Sequence, residues 1–190
     1  KCNCLGISGG WTPAVHLFTQ SGGKLKFDNE DNVFIPSKYP SDQISIGSCN
    51  GEFDLNTIIK NFNQNIKNFL GIDKTSFEDL KINSTKEILK RNIWLLPSDK
   101  AIGKCKPFVD FQNDATAKDI KLALREGFRS IEHVKRYTTT GMGTDQGKLG
   151  NMHALGIISD TSGVKMSDLG TTTFRPPYTP LTFGTIVGRN

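Results

Sequence analysis

Apolar positions along the chain alternate between short runs bounded by Gly and Pro and longer stretches with three- and four-residue spacing. Cys4-Leu5-Gly6-Ile7-Ser8, closed by Gly9-Gly10-Trp11-Thr12-Pro13, predicts a buried strand leaving its sheet through a turn. Gly22-Gly23 and Asp28-Asn29-Glu30-Asp31-Asn32 are turn clusters, and the segments beside them, Lys24–Phe27 and Val33–Ile35, predict a small hairpin. Gln43–Ile46 predicts a further strand, which runs into Gly47-Ser48-Cys49-Asn50-Gly51. Phe53, Leu55, Ile58, Ile59, Phe62, Ile66, Phe69 and Leu70 then recur at helical spacing, and Gly71 stands just past the helix end. This stripe reads as a core face. The unit is strand, glycine-containing loop and helix, an arrangement whose helix N-terminal amides can hold a phosphate in α/β proteins.

Order is weaker over residues 72–107. Thr75–Leu80 and Thr85–Leu89 predict helical turns, Ile93–Leu96 a strand, and Ser98–Pro107 a linker broken by Gly and Pro. Residues 114–160 read as helical. Thr116 caps Ala117–Glu126, with Ile120, Ala123 and Leu124 on one face and Gly127 at the end. Ser130 caps Ile131–Tyr137, and a third helix over Leu149–Ser159 follows a turn built on Gly141, Gly143 and Gly147. The tail Gly170–Asn190, with Pro176-Pro177, Pro180 and many Thr, predicts an extended arm that lies on something else.

Composition narrows the function classes. Charged residues are 23% and hydrophobic residues 36% of the chain, as in a globular protein. No run reaches the roughly 18 apolar residues of a membrane span. The net charge is +5, but it is spread evenly: fourteen basic and eleven acidic residues precede residue 108, and ten and eight follow. With no basic block, nucleic acid is not an expected partner. Four scattered cysteines, Cys2, Cys4, Cys49 and Cys105, make no disulfide framework and imply reduced thiols in a cytoplasmic protein. Cys2-Asn3-Cys4 lacks the second pair that zinc would need, so no metal site is expected. His16, His133 and His153 have no nucleophile or carboxylate at a telling spacing. Lys118, Lys121, Arg125 and Arg129 share a helix face, either solvated or a docking surface for a sister domain. The chain starts at Lys1 with no leader pattern, which reads as a fragment.

Three segments carry a resemblance. They are Ser8-Gly-Gly-Trp-Thr-Pro-Ala-Val-His-Leu, the stretches from Phe108 to Ile120 and Arg125 to Lys148, and Gly170-Thr-Thr-Thr-Phe-Arg-Pro-Pro-Tyr-Thr-Pro. Together they resemble the alpha subunit of heterotetrameric sarcosine oxidase over nearly the whole chain, with residues 72–100 weakest. The resemblance implies an α+β, mixed fold: C-terminal strand–loop–helix pieces of a two-dinucleotide reductase-like fold, then a small all-helical domain and an extended tail. It places the end of the dinucleotide-binding domain at residues 1–71 and a linker with helical turns at 72–107. The helical domain follows at 108–163, and 164–190 lead toward a folate-binding domain.

The same resemblance implies a cytoplasmic oxidoreductase complex acting on sarcosine or a similar N-methyl amine. Its partners would be the beta and smaller subunits and the remainder of the alpha subunit. NAD would be held partly here, FAD and FMN elsewhere in the complex, and tetrahydrofolate in a following domain. The isolated chain would then be inactive and have no catalytic residue of its own. A non-catalytic interaction domain on the same scaffold is the alternative.

Two departures refine this expectation. Reductases of the wider class carry a Gly-Asp pair where the chain has Gly47-Ser48, and the Asp usually holds a flavin ribityl chain. Ser48 there suits NAD rather than FAD, and the G-x-G-x-x-G fingerprint is absent from the chain. The expected cofactor contacts are therefore Gly47, Ser48, Gly51, Phe53 and Leu55. The helical segment is similar to the domain that binds a [2Fe–2S] cluster in bacterioferritin-associated ferredoxin. Aligned on Ala115-Thr116 and Gly141-Met142-Gly143, its four ligand positions hold Asp110, Gln112, Asp145 and Gly150, none of them a thiolate. The scaffold is kept without the cluster.

Overall fold

The computed structural model describes residues 3, 4, 6, 10–40, 42–71, 92–176 and 179–189. Most of the strand expected at Cys4–Ser8 and both helical turns expected at 75–80 and 85–89 lie outside the described residues. The described part is mixed, with two small antiparallel sheets and seven short to medium helices. Among the described residues, no helix is long and apolar enough to cross a membrane.

A short helix, α1 (His16–Gln20), leads into the hairpin of β1 (Lys24–Asp28) and β2 (Val33–Lys38). The hairpin is antiparallel, and its register pairs Phe27 with Phe34 and Asp28 with Val33. Asp28 closes the connection by accepting the Glu30 and Asp31 N–H groups, the ordinary role of Asp in a turn. The strand expected at Gln43–Ile46 is not formed. The segment joins no sheet, because β1 and β2 pair only with each other. It ends in a 3-10 turn at Gly47–Asn50, after which α2 (Leu55–Leu70) begins.

α2 ends at Gly71 in the left-handed conformation, as its sequence predicts, but none of its residues is buried. Leu55, Phe69 and Leu70 are about half exposed, so the stripe read as core is not core within this chain. Ile93–Leu96 is likewise no strand; it bends, and Trp94 and Leu95 lean on the outside of the helical core.

The core sits in the second half. β3 (Phe108–Asp110) and β4 (Ala115–Thr116), which the sequence pattern is too short to show, bring the chain to α3 (Ala117–Arg125). Thr116 and Asp119 form a reciprocal capping box at its start, each satisfying an otherwise orphaned N–H. α4 (Ile131–Thr138) begins after Ser130, whose side chain makes no capping bond, and Tyr137 faces outward. α5 (Asn151–Ser162) is covered on nearly all sides, with Ala154, Leu155, Gly156, Ile157 and Ile158 buried.

Ile120, Ala123, Val134, Leu155 and Ile158 are at most 1% exposed and form the centre of the packing. Each fully buried aliphatic side chain there stabilises the fold by about 1.5–3 kcal/mol. Phe34 of β2 and Val109 of β3 join the same cluster, so the hairpin packs on the helices. A further short helix, α6 (Met166–Leu169), adds Met166 to it. Beyond it the described residues of the tail form no regular element until α7 (Phe183–Val187), a helix the Thr- and Pro-rich pattern hides.

Candidate functional site

The loop expected to touch a cofactor is built by two glycines. Gly47 has φ +81° and Gly51 φ +82°, a region that side chains rarely occupy. Between them the 3-10 turn closes through Gly51 N–H to the Ser48 carbonyl and Glu52 N–H to the Gly47 carbonyl, both 3.2 Å. Gly51 also sits tight against β2, since a Cβ there would lie 2.9 Å from Ile35 Cγ2. Gly47 is buried, and a Cβ would meet only Ile58 Cγ2 at 3.6 Å. Its positive φ is what the turn requires. Ser48, Phe53 and Leu55 are exposed along one stretch of loop and helix start.

The helix N-terminus itself is occupied. Asp54 accepts the Thr57 N–H at 2.9 Å and the Thr57 hydroxyl at 2.8 Å, and these bonds hold its carboxyl below the usual range. An ionised carboxylate at the cap takes the place of a phosphate and repels one. The sequence reading of free first-turn amides is corrected on this point.

The four positions that correspond to cluster ligands do converge, on the turn from Gly141 to Gly150. Asp110 is buried at the end of β3. Its Oδ1 accepts the Gln112 and Asn113 N–H groups at 2.8 and 3.2 Å, and its Oδ2 accepts the Gly141 N–H at 2.7 Å. Gln112 bridges across: its Oε1 accepts the Asp145 N–H at 3.2 Å and its Nε2 donates to Thr144 Oγ1 at 3.0 Å. Asp145 Oδ1 in turn accepts the Gly147 N–H at 3.0 Å. At Gly150 a Cβ would lie 2.2 Å from the Val109 carbonyl oxygen, so no ligating side chain fits there. The polar groups at these positions are spent on holding the loop, as buried polar groups must be. Among the described residues, no cluster of three or more His, Cys, Asp or Glu is placed to hold a metal.

The other chemistry-bearing residues fall apart. His133 and His153 are exposed, and His153 stands edge-on to Trp94. Cys4 is exposed, while Cys49 and Cys105 are half-buried free thiols far apart in sequence. Lys118, Arg125 and Arg129 are exposed, with Lys121 half-buried.

His16, which the sequence set no further apart than His133 and His153, is the exception. It is buried, its ring stacks at a tilt on Phe174 at 3.8 Å between centroids, and its Nε2 lies 3.2 Å from the Gln146 carbonyl oxygen. Burial pushes its pKa down, with the Gln146 carbonyl opposing. Around it the first residues of the tail strap onto the helices. Lys135 Nζ donates to the Thr173 carbonyl at 2.9 Å, Asn151 Nδ2 donates to Thr172 Oγ1 at 2.9 Å, and the Arg175 N–H reaches Gln146 Oε1 at 2.9 Å. Thr172 and Phe174 are buried while Thr173 and Arg175 are exposed, the alternation of an extended segment lying on a surface.

Residues 104–189 match the family model of the sarcosine oxidase A3 domain. The chain is 38% identical over 196 residues to the sarcosine oxidase subunit alpha of Rhizobium meliloti (strain 1021), covering 98% of this chain and 19% of that protein. It is 34% identical to the same subunit from Corynebacterium sp. (strain P-1), covering 100% of this chain and 20% of that protein. The chain thus spans about a fifth of the length of these curated relatives. In three dimensions it is similar to the crystal structure of L-proline dehydrogenase from P. horikoshii, with a TM-score of 0.61 and 21% identity, over 94% of this chain and 37% of that one. That likeness supports the mixed fold alone. From residue 104 to the tail by its family model, and over its whole length by its relatives, the chain belongs to the sarcosine oxidase alpha-subunit family.

Proposed function

We propose that this chain is one part of the alpha subunit of a sarcosine-oxidase-like enzyme, to which it contributes scaffold rather than catalytic groups. The enzyme would oxidatively demethylate sarcosine or a similar N-methyl amine. Flavins at the partner subunits would take the electrons, and a following domain would pass the one-carbon unit to tetrahydrofolate. In this reading residues 1–71 complete a dinucleotide-binding domain and residues 108–163 form a helical packing module. The beta and smaller subunits would supply the remaining surfaces. The support is the family membership together with one observation. The loop that would hold a cluster in a related scaffold is instead closed on itself by hydrogen bonds from Asp110, Gln112 and Asp145.

NAD is the cofactor assigned in part to this chain, at the exposed rim of Ser48, Phe53 and Leu55. When bound it would supply a hydride-accepting nicotinamide. The residues here would pack against its ribose and ring while the diphosphate lies on amides elsewhere in the subunit. The test is the assembled complex carrying Ser48→Glu, an exposed change that sets a second carboxylate beside Asp54. NAD released by denaturation and measured against total flavin should fall severalfold, with flavin content and subunit assembly unchanged. Full NAD content in that variant would remove the loop from the cofactor site.

A further inference from the structure

The tail strap encloses a cleft of about 260 Å³, lined by Glu132, Lys135 and Arg136 of α4, Met142 and Gln146 of the glycine turn, and Arg175 of the strap. Three of these six side chains are cations and one is an acid. The acid is already engaged: Glu132 accepts the Thr173 N–H and pairs with Arg136 at 3.2 Å. Burial opposes its ionisation, but the Thr173 N–H and the cations beside it outweigh that and hold its carboxyl below the usual range. Glu132 is therefore charged and spent on the wall of the cleft. Glu132 also attracts Lys135, while among the described residues no acid forms a salt bridge with Arg175.

Lys135 is only 8% exposed and gives one of its three donors to the Thr173 carbonyl. Burial depresses its pKa, Glu132 opposes this, and the positive charges of Arg136 and Arg175 add to the depression. Lys135 is thus close enough to both arginines to be repelled by them, and the three cations line one cleft. The Arg175 guanidinium, a partly desolvated ammonium and the remaining donors of Arg136, which is paired with Glu132, form a donor set that can recognise a carboxylate or a phosphate. The exposed Met142 at the rim leaves room for a short apolar body.

We propose that this cleft between α4, the 141–147 turn and the tail strap binds a small oxyanion, a carboxylate or a phosphate, through Lys135, Arg136 and Arg175. Its volume lies just below the usual range for drug-sized ligands, about 300–1,000 Å³, so it takes a single anionic group with a short stem. Because Arg175 belongs to the strap and Lys135 also holds the strap, a bound anion would tie the tail down more firmly.

The full chain should be titrated with inorganic phosphate and, separately, with glutarate, against sodium chloride at matched ionic strength, and followed by amide NMR shifts. Saturable shifts at Arg136, Met142 and Arg175 are expected with at least one of the two anions and not with chloride. The stronger anion identifies the ligand class. Arg136→Gln with Arg175→Gln should weaken that binding about tenfold or more. Lys118→Gln with Lys121→Gln, on α3 and outside the cleft, should leave it unchanged and controls for general screening. Shifts no different from chloride for both anions, or equal affinity in the Arg136/Arg175 variant, would overturn the proposal. Unchanged melting of the double variant confirms that a loss of binding is local, since both arginines are exposed.

Discussion

α2 and α3 start from the same grammar and end in different places. Each is strongly amphipathic, each opens with a side chain that accepts an N–H three residues on, and a left-handed glycine follows each, Gly71 or Gly127. Yet α3 buries Ala117, Ile120, Ala123 and Leu124, and α2 buries nothing. The lesson is that periodicity and capping establish that a helix forms and which face is apolar. Whether that face is covered depends on what the rest of the polypeptide brings to it. Helix α3 finds α4 and α5 within the same eighty residues, whereas among the described residues α2 packs mainly on the 3-10 turn before it.

The widest separation between the two regions should appear in hydrogen exchange. Amides of α5 lie inside the packed cluster and should exchange only on global unfolding, while those of α2 exchange through local opening. Equal protection in both would mean that α2 is covered by something not seen here. Next in size is a paired truncation. Leu155→Ala should cost about 2–5 kcal/mol in denaturant melts, and Leu55→Ala, half exposed on α2, well under about 1 kcal/mol.

A third change probes the turn that stands at the cluster positions. Asp110→Ala leaves three buried or half-buried N–H groups without their charged acceptor and should cost about 2–3 kcal/mol. Removing the α3 cap with Thr116→Ala should cost about 1 kcal/mol. Asp54→Ala on α2 should fray that helix by circular dichroism without moving the main melting transition.

The smallest effect is a pH dependence. His16 has a depressed pKa because it is buried, so the unfolded chain takes up a proton more readily than the folded one. Stability should therefore fall as pH drops below about 6.5, the ordinary histidine value, and level off once pH passes below the folded pKa. His16→Phe should flatten that slope in melts between pH 7 and 5.

Much of the fold was readable from residue order. The hairpin, the capped start of α3, the ends of α2 and α3 at Gly71 and Gly127 and the glycine turn all follow from local chemistry, which the sequence carries directly. Gln43–Ile46 and Ile93–Leu96 read as strands because short apolar runs say nothing about a partner, and neither run has one in a sheet. β3 and β4, with three and two residues, are too short for any periodic signal. The candidate loop was legible as a turn through Gly47 and Gly51, but Asp54's choice of Thr57 was not. That the tail lies on another surface was legible, but where it docks was not: Lys135, Glu132 and Gln146 meet Thr173 and Arg175 only across long sequence separations.

The clasp of His16 against Gln146 and Phe174 has a consequence for the order of assembly. Its hydrogen bond joins groups 130 residues apart in sequence, and its ring contact spans still more. On a ribosome the segment around α1 emerges before the residues it closes against, the glycine turn and then the strap. The entropy of closing so long a loop grows only slowly with its length, so the delay is one of waiting rather than of energy. Throughout that interval Val15, His16 and Phe18, all buried in the finished fold, stand open to solvent and to chaperones. The last turn of the chain to dock is thus the one that completes the first.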